Sequence, residues 1–94
     1  MYAIHSTYSE YSPEFDGRPD GRRWPGEYAD RGAAWAAVRR YLLTTQNWHP
    51  APFRNSDHPR FRGGLAPFGH DEPTAFPDSA EVLNDAETIV ITEI

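Results

Sequence analysis

"ETIVITEI", residues 87–94, is the stretch whose reading decides the fold. Ile89, Val90 and Ile91 follow one another without a break, and β-branched side chains favour an extended backbone because they pack on a pleated surface and lose rotamer freedom in a helix. So apolar a run suits a strand covered on both sides, or at least flanked by neighbours. A partner for it stands at the other end of the chain. Residues 2–8, YAIHSTY, place Tyr2, Ile4, Ser6 and Tyr8 on one side and Ala3, His5 and Thr7 on the other, which is the period of a strand. Pairing the two segments ties down both termini.

The chain between these strands is read from its punctuation. Residues 9–26 gather three prolines and three glycines with Asp-Gly twice, so turns are expected there. A helix is expected from Asp30 to Thr44: Asp30 is a capping residue, and Ala34, Trp35, Val38, Tyr41 and Leu42 recur on one face. Arg39 and Arg40 fall near its C-terminal end, where positive charge suits the helix dipole. Residues 46–77 hold six prolines and cannot form a regular helix, so a long Pro-rich irregular segment with short strands, for example around Phe61, is expected. Asp78 followed by Glu81 reads as a variant capping box, heading a short helix through about Leu83 or Asn84. The expected fold is α+β: a small, mainly antiparallel sheet with N- and C-terminal strands paired, covered by one main helix. Residues 1–94 read as a single compact domain with no internal repeat.

Composition sets the limits. A chain of 94 residues has a small core, burying little more than about 60% of its unfolded surface, and here three Trp, five Tyr and five Phe make that core dense in aromatics. There is no cysteine, which excludes disulfides and thiolate metal sites; packing, with self-association as an available supplement, must hold the fold. The first residues, MYAIHSTYSE, have neither a basic leader nor a signal-length apolar run, and no stretch approaches a membrane span, so a cytoplasmic protein with no membrane contact is expected. All nine basic residues are arginine, which rules out lysine Schiff-base chemistry and leaves forked donors suited to carboxylate or phosphate. The net charge of −5 is unevenly divided: −3 over residues 1–30, +5 over 31–62 and −7 over 63–94, where no Lys or Arg occurs. Such thirds either neutralise each other through Arg–carboxylate pairs or display faces of opposite sign.

Two central motifs carry candidate chemistry. His49, His58 and His70, with Asp57, Asp71 and Glu72 nearby, are the right residue types for a divalent metal but lack ligand spacing, so neither a metal nor another cofactor is expected. The histidines also have the acid–base capacity a small hydrolase needs, although Ser56-Asp57-His58 is a triad in letters only, since adjacent side chains seldom reach relay geometry. The stretch also alternates Arg54, Arg60 and Arg62 with Phe53 and Phe61, offering phosphate forks beside stacking rings for a nucleic acid. The negative net charge opposes that use, and the plainer expectation is that Phe53, Phe61 and Phe68 anchor the loop to the core.

The acidic C-terminal third supports a different function. Asp71, Glu72, Asp78, Glu81, Asp85 and Glu87 arrive without a competing base, and together they would suit an Arg/Lys-rich partner, including a surface that normally holds nucleic acid. In size, acidity and absence of motif the chain is similar to small phage-encoded inhibitors such as the anti-CRISPR proteins, a resemblance of composition that carries over no residue. The reading is therefore a non-enzymatic protein-binding module that occupies a basic site on a partner. Its alternatives are nucleic-acid binding by the central arginines and His-dependent hydrolysis.

Overall fold

The computed structural model describes residues 1–11, 21–51 and 63–94. Among them the elements are β1 (Tyr2–Tyr8), β2 (Arg22–Arg23), α1 (Arg31–Thr44), β3 (His49–Pro50), β4 (Leu65–Ala66), β5 (Glu81–Asn84) and β6 (Glu87–Glu93). The fold is α+β with an antiparallel sheet in which the N- and C-terminal strands pair. The chain divides into two compact units, residues 1–34 with 80–94, and residues 35–79.

The first unit holds a four-stranded sheet in the order β2-β1-β6-β5. β1 and β6 pair antiparallel over their full length, from Tyr2 opposite Glu93 to Tyr8 opposite Glu87. The ladder runs one residue further at each end, with Ile94 N–H donating to Met1 C=O at 2.9 Å and Ser9 N–H to Ala86 C=O at 2.8 Å. β6 is flanked on both sides, as its apolar run requires. One face of the sheet buries Ile4, Ser6, Val82, Ile89 and Ile91. Ser6 and Glu87 are the buried polar side chains of this face, and the Ser6 hydroxyl is satisfied by the Trp24 indole N–H at 2.7 Å. Trp24 reaches it because its own backbone N–H bonds Ile4 C=O at 2.8 Å, which sets the ring on the Ile4 and Ser6 side of β1.

The expected helix over residues 78–84 is not formed; Glu81–Asn84 is strand β5, a hairpin partner of β6. Asn84 lies opposite Glu87, leaving Asp85 and Ala86 as a two-residue connection in which Asp85 takes a positive φ of 56°. The short, polar side chain of aspartate tolerates that conformation better than most. The ladder prevails over the capping letters because a helix of one or two turns does not offset its own nucleation cost, whereas β5 satisfies the second edge of β6.

α1 begins as its sequence indicates: the Asp30 carboxylate caps it, accepting the Ala33 N–H at 2.8 Å. Ala34, Trp35, Val38 and Leu42 are its buried side chains. Its last turn holds no basic residue, so Arg39 and Arg40 stand just short of the zone where the dipole acts most strongly. The helix ends as Asn47 turns left-handed at φ 59° and Trp48 N–H bonds back to Leu42 C=O at 3.0 Å.

The second unit follows from that turn. Trp48 and Ala51 are buried on either side of β3, which pairs antiparallel with β4, and Leu65 bonds on to Ala75 through N–H to C=O contacts of 2.9 and 3.2 Å. Gly64 permits this crossing, since a Cβ there would stand 2.8 Å from Pro73 Cβ. Phe68 is 81% exposed, so it does not anchor the Pro-rich segment; it sits at the tip of a turn closed by His70 N–H to Pro67 C=O, beside Gly69. Phe53 and Phe61 lie outside the described residues.

Candidate functional site

The six C-terminal carboxylates fall into three settings. Asp71 and Glu72 are exposed neighbours immediately after the Pro67–His70 turn, and Asp78 is exposed in a turn where Ser79 N–H bonds Phe76 C=O and Phe76 N–H bonds Ser79 Oγ. These three belong to the second unit. In the first unit Glu81 is exposed on β5, and Asp85 is exposed at the hairpin tip. Among the described residues, neither they nor Asp71 and Glu72 form an ion pair; the Arg23–Glu27 contact at 3.0 Å is an exposed i,i+4 pair elsewhere on the chain.

Glu87 is different. It is buried, one oxygen accepting the Tyr8 hydroxyl at 3.1 Å and the other the Asn84 amide at 2.9 Å, so it closes the β1–β6–β5 junction and does not face a partner. The signal for this was present in the sequence. Counting by two along the strand puts Glu87 on the side of Ile89 and Ile91.

The opposite face of the sheet presents features the sequence reading passed over. Register places Arg23, His5, Val90 and Glu81 in one row across all four strands. His5, Thr7, Val90 and Thr92 line an open cleft of about 380 Å³. Among the described residues its lining is two threonines, a valine and a histidine. The available signal was the alternation of His5 with Thr7 and of Thr88 with Val90 and Thr92, half-polar positions facing away from the isoleucines.

The central histidines have structural surroundings where they are described. His49 Nε2 lies 2.7 Å from His70 C=O and Nδ1 3.2 Å from Pro50 C=O, contacts that tie β3 to the turn that precedes Asp71. No group of three or more His, Asp and Glu side chains that could hold a metal ion occurs among the described residues. Ser56, Asp57 and His58 lie outside those residues, as do Phe53, Arg54, Arg60, Phe61 and Arg62 of the nucleic-acid reading. No helix among the described residues is long and apolar enough to cross a membrane.

No protein-family model matches the chain, and no curated protein or solved structure matches it either.

Proposed function

We propose that this chain is a non-enzymatic module that binds another protein, using exposed carboxylates of its C-terminal third against a basic surface of the kind that otherwise holds nucleic acid. The observation that carries the reading is that Asp71, Glu72, Glu81 and Asp85 are exposed, form no ion pair with a described residue, and lie in a stretch of 32 residues without Lys or Arg. Carboxylates left unneutralised in this way attract a basic partner, speed its association and disfavour acidic competitors. Occupying such a surface would make the chain an inhibitor by exclusion.

The test is capture from cell lysate by the intact chain and by a variant carrying Asp71→Arg, Glu72→Arg, Glu81→Arg and Asp85→Arg. Basic proteins retained by the native chain, released by salt and lost from the folded variant support the reading. Retention of the native chain on heparin, with nucleic acid recovered and Arg60→Glu with Arg62→Glu abolishing it, would transfer function to the central arginines.

A further inference from the structure

We infer that the outer edge of β5 accepts an extended segment of the partner as an added strand, and that this segment carries the pattern basic–x–apolar–x–basic. The inference rests on the protein-binding reading above and gives it a definite site. Ile91 N–H donates to Ala80 C=O at 3.2 Å, which makes residues 80 and 91 a hydrogen-bonded pair; with the register continuous, Val82 with Ile89 and Asn84 with Glu87 are the next such pairs. The N–H and C=O groups of Glu81 and Leu83 therefore point away from β6, toward the edge where no described strand pairs.

Edge strands are commonly guarded by Lys, Pro or a bulge. β5 has none of these: its sequence is EVLN and its register to β6 is unbroken. Leu83 stands 66% exposed on the same face as the exposed Glu81. What guards the edge is negative charge, from Glu81 along it and Asp85 at its end. That charge decides the occupant. A second copy would bring like charges together, which opposes pairing, whereas a strand with an apolar residue opposite Leu83 and basic residues two positions to either side complements all three side chains. The added strand runs antiparallel to β5, as every described strand pair of this sheet does.

The probe is the capped peptide Thr-Arg-Thr-Val-Thr-Arg-Thr, titrated against the whole chain by fluorescence anisotropy. In an antiparallel pairing with Val opposite Leu83, its Val and Arg amides face β5 and its Thr amides face away. Methylating the Val amide nitrogen is expected to weaken binding about tenfold or more, and methylating an adjacent Thr amide nitrogen to leave it within about twofold. Glu81→Lys should weaken binding similarly, Leu83→Pro should abolish it by removing an outward N–H, and Asp71→Arg with Glu72→Arg should weaken it less than Glu81→Lys does. Should Leu83→Pro fail to fold, the methylated peptides and Glu81→Lys still decide the matter. Equal binding of both methylated peptides overturns the edge site, and a dimer of the chain that Leu83→Pro dissociates overturns the basic occupant. Loss confined to the Asp71 and Glu72 reversal overturns the edge site and leaves the acidic reading standing. Failure of both this peptide and tetra-arginine to bind at low salt overturns both.

Discussion

The Tyr8 hydroxyl donates to Glu87 at 3.1 Å, and the same carboxylate takes the Asn84 amide at 2.9 Å, so one buried acid joins three strands where the hairpin meets β1. Replacing Glu87 with alanine leaves both donors without this acceptor and opens a gap beside Ile89. A loss of about 1–3 kcal/mol is expected in chemical denaturation, against no more than about 0.5 kcal/mol for Glu81→Ala on the exposed side of β5. Equal effects would mean that Glu87 is a surface acid.

Trp35 is 7% exposed on α1, and Val38 and Leu42 continue its buried face without measurable exposure. Trp35→Ala is expected to cost about 3–5 kcal/mol, much of the stability available to a domain of this size. A denaturation midpoint nearly unchanged would place the helix on a different face.

Gly21 carries a φ of +74°, and a Cβ there would overlap the Ser6 carbonyl oxygen and the Thr7 methyl group. Both penalties fall on backbone or on a strand fixed by its ladder, so neither is relieved by a rotamer change. Gly21→Ala should destabilise by about 1–3 kcal/mol, read as a lower melting temperature, whereas Gly26→Ala, with open space around the site, should show the smaller cost of its positive φ alone.

The elements legible in the sequence are those whose physics is periodic. β1 and β6 followed from alternation and β-branching, and α1 from Asp30 and the spacing of Ala34, Trp35, Val38 and Leu42. β5 was misread because Asp78 and Glu81 satisfy a local helix-start pattern, while the opposing cause, the open ladder edge at residues 87, 89 and 91, lies further along the chain. Val82 and Leu83 followed by Asn84-Asp85 and then a β-branched run also formed a hairpin signal, and it was the stronger one. For the site, charge segregation was visible by counting, but the inward turn of Glu87 required applying strand periodicity to a charged residue. The row from Arg23 to Glu81 depends on register between four strands, which no local pattern encodes.

The most direct test of the account is the association rate of the captured basic partner with the native chain and with the Asp71→Arg, Glu72→Arg, Glu81→Arg, Asp85→Arg variant across a salt series. Slower association and weaker affinity are expected for the folded variant, with the difference largest at low salt and shrinking as salt screens the charges. Identical rates and affinities at every salt concentration, with both proteins folded, would contradict it.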